Sequence, residues 1–117
     1  MSSNSENIIG QSDVQMRKGV LVYAVLLLLK DGKVYSSEII QALRQAELIV
    51  VEGTLYPLLS RLAKDQLLDY EWQESEQGPP RKYYGLTDDG ESLLKDLQQT
   101  YHKLHSSIQA LEKGVKK

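Results

Sequence analysis

The run from Glu52 to Thr87 constrains this chain more than any other part of it. It opens with Glu52-Gly53-Thr54-Leu55-Tyr56-Pro57-Leu58-Leu59-Ser60-Arg61-Leu62. Leu55, Leu58, Leu59 and Leu62 recur with the spacing of a helix's inward stripe. Leu67-Leu68-Asp69-Tyr70-Glu71-Trp72 then changes to an extended pattern. Gly78-Pro79-Pro80 predicts a sharp turn. Arg81-Lys82-Tyr83-Tyr84-Gly85-Leu86-Thr87 runs back as a second strand. Tyr83 and Tyr84 fall on opposite faces of that strand, so one of them is expected to be buried. A helix followed by a hairpin with a basic root is the plan of a winged helix. The alternative is a small α+β domain with an ordinary surface hairpin.

The 117 residues suit one domain whose core needs no metal or disulfide staple. There is no cysteine, which excludes disulfides, thiolate metal sites and thiol nucleophiles. The longest apolar run, Val20 to Leu29, is too short to cross a bilayer as a helix. No basic start leads into an apolar stretch with a cleavage site. The expectation is a cytoplasmic protein without membrane contact. The formal net charge of -2 counts modestly against a polyanionic partner. Local clustering of Lys and Arg matters more than the net value.

Taken in order, residues 1–13 are polar and read as a flexible arm. Ile8 and Ile9 either stay free there or pack on the body or on a partner subunit. Val14 to Lys30 reads as a helix, with Met16, Val20, Tyr23 and Leu27 at helical spacing. Val22, Leu26 and Leu29 widen its apolar surface, so it is expected to be buried on several sides. Gly32 is suited to close it in the left-handed conformation. Ser36 or Ser37 is expected to cap a second helix that runs to about Ala46. Ile39, Ile40 and Leu43 point inward in that reading, and Arg44 and Gln45 outward. Leu48 to Val51 forms a brief apolar link. The third helix spans about Glu52 to Asp65, or starts later, near Tyr56, with Pro57 in its first turn.

Two helices joined by a short link make a helix-turn-helix, whose second helix enters the DNA major groove. Residues 14–87 would then be the DNA-binding domain. Thr54 and Tyr56 fall where that helix meets the bases, while Arg61 and Lys64 are better placed for phosphate. Arg81 and Lys82 have the sign for a phosphate or minor-groove contact from the wing. Glu71, Glu74 and Glu76 would repel DNA, so their strand is expected to turn them away. Trp72 either packs in the core or helps to wall a hydrophobic pocket.

Thr87 caps a last helix over 88–113, with acidic residues at its positive end. Leu94, Leu97, Tyr101, Leu104, Ile108 and Leu111 form a coiled-coil seam along it. The seam pairs with a second subunit, packs back on the first helix, or does both with different parts. Residues 114–117 are a tail. No catalytic group, phosphate-cradling loop or cofactor site is evident, so an enzyme is not expected. His102 and His105 lack a third metal ligand.

These residues resemble the PadR family of winged helix-turn-helix transcriptional regulators, and in particular its short members with a single C-terminal dimerisation helix. Gly53-Thr54-Leu55-Tyr56-Pro57-Leu58-Leu59-Ser60-Arg61-Leu62 is similar to the family's recognition-helix signature. Gly78-Pro79-Pro80-Arg81-Lys82-Tyr83-Tyr84-Gly85-Leu86-Thr87 with Gly90 is similar to its wing signature. The resemblance runs from about Arg17 to Leu111. It implies a homodimer on a palindromic double-stranded operator, with repression relieved by a small molecule. It adds Lys18 to the phosphate contacts. In members that bind flat compounds the dimer pore carries aromatics, and Tyr101 falls where some place a tryptophan. A pocket for a planar aromatic ligand would then involve Trp72, Leu97 and Tyr101, unless Tyr101 packs tightly and leaves no cavity. This chain departs from the family at Gly85, where an arginine is usual, and at Gln66, where a glycine usually closes the recognition helix. It departs also at Ser36-Ser37 and at Val51, which offers no cap. The negative charge and Gly85 motivate a competing reading, a winged-helix adaptor module with weak or no DNA binding.

Overall fold

The computed structural model describes residues 3–48 and 52–114, with side chains for 10–48 and 53–114. Helix α1 spans Ser3–Leu28. Strand β1 is Val34–Tyr35 and leads directly into α2, Ser36–Gln45. A 3-10 turn at Glu52–Thr54 precedes α3, Leu55–Lys64. Strands β2, Leu68–Ser75, and β3, Gly78–Leu86, form the hairpin. Helix α4 is Asp88–Glu112. The mostly helical fold with a small antiparallel wing and a C-terminal helix is the winged helix-turn-helix that the sequence predicts. No described helix is long and apolar enough to cross a membrane.

The core lies where α1, α2 and α3 meet the root of the sheet. Val25, Leu26, Leu29, Ile39, Leu43, Leu55 and Leu59 are its largest fully buried side chains. Ile39, Ile40 and Leu43 sit inward on α2 as the spacing requires. Tyr84 is the buried member of the Tyr83–Tyr84 pair, at 3% exposure.

Helix α1 differs from the sequence reading at its start. The chain is already helical from Ser3, where a flexible arm was expected over residues 1–13. No proline interrupts this stretch, and one interior glycine, Gly10, costs a helix only about 1 kcal/mol. The placement expected for Ile8 and Ile9 concerns side chains outside the described residues. Met16 is 75% exposed rather than inward, because α1 reaches the core only from Leu21 onward.

The start of α2 also differs. Tyr35 holds the cap position in an extended conformation, without a side-chain hydrogen bond. Pairing of β1 with β3 fixes Tyr35 as strand, so Ser36 becomes the first helical residue. Both helices of the pair end alike. The Leu48 N–H donates to the Leu43 carbonyl and Leu67 to Leu62, each at 2.9 Å. Glu47 and Gln66 adopt positive φ of 61° and 64° to allow this closure. The Arg17 guanidinium donates to the Glu47 carbonyl and ties α1 to the end of α2. The link residues Ile49 to Val51, including the missing cap at Val51, lie outside the described residues.

Helix α3 takes the later of the two starts. Pro57 falls in its first turn, where the missing N–H has no helical partner to lose. The hairpin turn is at Glu76–Gln77, not at Gly78-Pro79-Pro80, which belongs to β3. Gln73 faces Arg81 while Ser75 faces Gly78, so the pairing is irregular at the two prolines. Proline is tolerated in a sheet at such a bulge.

One junction fastens α3, the hairpin and α4 together. The Thr87 hydroxyl donates to the Gln66 carbonyl at 2.7 Å and accepts from the Gly90 N–H at 3.0 Å. The Thr87 N–H donates to the Leu67 carbonyl at 3.2 Å. A Cβ on Gly90 would lie 2.1 Å from the Leu67 carbonyl oxygen, so only glycine fits. Beyond this point Leu93, Leu94 and Leu97 pack on the core, while Leu104, Ile108 and Leu111 are 59%, 53% and 63% exposed.

Gly90→Ala is therefore expected to destabilise the fold by about 1–3 kcal/mol, the usual cost of overpacking. Urea denaturation checks this. An unchanged midpoint would show that the junction yields without cost.

Candidate nucleic-acid interface

Helix α3 buries Leu55, Leu59 and Leu62 and so turns its opposite side outward. Thr54, Tyr56, Ser60, Arg61 and Lys64 are all exposed there. Thr54, Pro57, Arg61 and Lys64 follow one another at helical spacing along one strip. Lys18 reaches the same place from α1. Lys18, Thr54 and Arg61 line a cleft of about 330 Å³ floored by Leu21, Pro57 and Leu58. The cleft is open to solvent, carries two cations and has no carboxylate in its lining. This is an arrangement that attracts a phosphate oxygen.

The wing separates two residues that the sequence reading had grouped. Arg81 and Lys82 are neighbours in β3, so they point to opposite faces. Register places Tyr70 against Tyr84 and Trp72 against Lys82 on one face. Glu71 against Tyr83 and Gln73 against Arg81 make the other. Lys82 Nζ sits 4.0 Å from the ring centre of Tyr70, 5.3 Å from Tyr84 and 5.5 Å from Trp72. The Arg81 guanidinium lies 5.0 Å from the ring centre of Tyr35 on the far side. Glu71 shares that far side and pairs with Lys33 at 3.3 Å. Lys33 also crosses Gly85, where an added Cβ would come within 2.9 Å of its Cγ.

Trp72 requires a correction. It is 62% exposed on the wing, neither in the core nor in a pocket with Leu97 and Tyr101. Strand β2 runs past the helical body, so its outer positions find no helix to cover them. Leu97 and Tyr101 do come together, in a groove of about 320 Å³ between α1 and α4. Val20, Tyr23, Leu93 and Leu104 are among the other residues of its mainly apolar wall. Tyr23 and Tyr101 meet with ring centres 5.5 Å apart. His102 and His105 flank Tyr101, and no group of three or more metal-ligating side chains occurs among the described residues.

Sequence reasoning missed Tyr35, Tyr70 and Lys33 as partners of the wing charges. Period-two alternation holds the signal for Tyr70. It becomes readable only when the turn is placed at Glu76–Gln77, because the turn sets which residues face each other.

The sequence model described as "Transcriptional regulator PadR-like family" matches residues 25–96. The chain is similar to a PadR-like transcription factor from Bacteroides fragilis, at 54% identity and a TM-score of 0.70, covering 86% of this chain and 98% of that one. It is similar to a PadR family transcriptional regulator from Eggerthella lenta, at 29% identity and a TM-score of 0.82, covering 97% and 100%. It is also similar to Bacillus subtilis PadR, solved in complex with operator DNA, at 26% identity and a TM-score of 0.62. That match covers 68% of this chain and 45% of the Bacillus protein.

The exposure of Trp72, the only tryptophan, makes a direct check possible. Acrylamide should quench its fluorescence in the free protein nearly as well as it quenches a tryptophan amide in water. A blue-shifted, strongly protected emission would place Trp72 in an interior instead.

Proposed function

This chain belongs to the PadR-like family of transcriptional regulators, and on that premise we propose that it is a homodimeric repressor that binds a palindromic DNA operator. Regulators of this family are DNA-binding transcription factors rather than enzymes. The observation that carries the proposal is the cleft at the start of α3, which gathers Lys18, Thr54 and Arg61 on the exposed side of a recognition helix. In this reading Thr54 and Tyr56 meet base edges and sugar, while Lys18, Arg61 and Lys64 neutralise phosphates. A regulator of this kind works in the cytoplasm, where the DNA is.

Selection of bound duplexes from a random pool tests the proposal and yields the operator. Arg61→Ala should weaken binding to every duplex alike and lower the salt slope by about one. An altered base preference with the slope intact would make Arg61 a base reader. Failure of the wild-type protein to enrich any duplex would favour the adaptor reading.

Dimerisation is supported by the outer half of α4. Leu104, Ile108 and Leu111 are large, exposed and on one seam. Hiding each is worth roughly 1.5–3 kcal/mol. Leu104→Asp should leave the monomer folded, because Leu104 is 59% exposed within one subunit, and should abolish the dimer. Sedimentation of the variant as an unchanged dimer would contradict this.

The groove between α1 and α4 supports a sensor role. Tyr23, Leu97 and Tyr101 offer flat apolar walls suited to a planar aromatic ligand. Such a ligand relieves repression only by binding the DNA-incompetent form more tightly. Because Trp72 lies on the wing, calorimetry rather than its fluorescence is the readout. Titration with planar aromatic dyes should give heat that Tyr101→Ala diminishes. Absence of heat, with operator affinity unchanged by the dyes, would remove the sensor role for this chemical class.

A further inference from the structure

We propose that the cleft between α1 and α3 also binds a small aliphatic anion, a medium-length acyl chain with a carboxylate head, in direct competition with DNA. The competition rests on the DNA-binding reading above; the binding itself does not. The cleft has two chemically different parts. Lys18 and Arg61 make a cationic rim, and Leu21, Val22, Pro57 and Leu58 make an apolar floor. A phosphate of a duplex uses the rim alone. The floor has no part in that contact and suits a ligand with an apolar body.

Charge selects the head. Among the described residues neither Lys18 nor Arg61 is in an ion pair, and no carboxylate lines the cleft. Arg17, next to Lys18 in sequence, shows the contrast, because Asp13 and the Glu47 carbonyl occupy it. Two cations at one rim with no carboxylate between them attract an anion. A guanidinium holds a carboxylate with two parallel hydrogen bonds.

The floor selects the body. It is aliphatic throughout, without an aromatic side chain on which a planar ring could stack. The groove between α1 and α4 differs, because Tyr23 and Tyr101 stand in its wall. A flat ligand suits that groove, and a flexible chain suits this cleft. The volume of about 330 Å³ lies at the small end of ligand pockets, which span roughly 300–1,000 Å³. A chain of moderate length fills it, and the rest of a longer one would stay in water.

Lys18 and Arg61 cannot hold the carboxylate and a DNA phosphate at once. Bound ligand and bound duplex therefore exclude each other, with no change needed in the angle between subunits. An effector acting from the groove between α1 and α4 behaves differently. It weakens DNA binding only as far as the ratio of its affinities for the two forms. A competitor at the rim raises the apparent Kd for duplex in proportion to its concentration, without a plateau.

Calorimetry of the full-length protein with sodium octanoate tests the site without DNA. Affinity should rise from butanoate to octanoate by up to about fourfold per methylene. Acetate, the head alone, and 1-octanol, the body with a neutral head, should both bind far more weakly. Lys18→Gln and Arg61→Gln should each weaken octanoate about tenfold, as loss of a charge-assisted hydrogen bond does. Both residues are exposed, so neither change should disturb the fold. Lys103→Gln, on the exposed part of α4, should leave octanoate binding unchanged. With a duplex selected from a random pool, octanoate should raise the apparent Kd linearly, and sodium acetate at equal concentration corrects for ionic strength. Equal octanoate affinity in wild type, Lys18→Gln and Arg61→Gln overturns the proposal, as does 1-octanol binding as tightly as octanoate. A duplex Kd that levels off, or stays constant while octanoate saturates its site, overturns it too by separating the two sites. Binding of duplex but not of octanoate removes the ligand site and leaves the DNA-binding reading. Binding of octanoate but of no duplex leaves the ligand site and removes that reading, and the competition with it.

Discussion

The fold depends on the contact between Gly90 and the Leu67 carbonyl. The first turn of α4 lies so close to the end of α3 that any side chain at position 90 would overlap backbone. Thr87 completes the joint, bonding back to Gln66 and Leu67 and forward to Gly90. The exit of the recognition helix, the root of the wing and the start of the last helix are thereby one piece. Gln66 sits at the same place with a positive φ of 64° that a glycine would adopt more easily. The neighbouring bonds from Leu67 to Leu62 and from Gln66 to Ala63 hold it there.

That joint explains how a short chain can link two surfaces. The inner half of α4 packs on the body through Leu93, Leu94 and Leu97, while its outer half carries an uncovered apolar seam. In the proposed dimer, a cover on the seam would set the direction of α4, and the joint would pass that direction to α3. In a two-fold dimer the spacing of the recognition helices would follow from the angle between the two α4 helices. A ligand between α1 and α4 would act on that same angle.

Much of this was legible in the sequence where periodicity and burial coincide. Ile39, Ile40 and Leu43 on α2, and Leu55, Leu59 and Leu62 on α3, face inward as their spacing requires. Thr87 was recognisable as a cap because its role is local, whereas its bond to Gln66 depends on tertiary contact. The wing was harder. Gly78-Pro79-Pro80 has the composition of a turn, yet irregular pairing absorbs both prolines and moves the turn to Glu76–Gln77. With the turn misplaced, the facing pairs of the hairpin could not be read, and neither could the ring cage around Lys82. Trp72 misled for another reason. A large aromatic is expected inside, but here the strand outruns the helices that would cover it. The start of α1 was missed because a polar stretch without proline can continue a helix that the core has already nucleated.

In the proposed dimer the joint and the α4 seam would hold two recognition helices at one fixed separation. The absence of cysteine lets a single nitroxide be placed by Ser60→Cys, on the exposed side of α3. Pulsed dipolar spectroscopy of the labelled protein on a selected duplex then measures the distance between the two helices. One narrow distribution is expected close to a helical turn of DNA, about 34–36 Å before allowance for the label arms. A broad distribution, or no dipolar modulation at all, would contradict it.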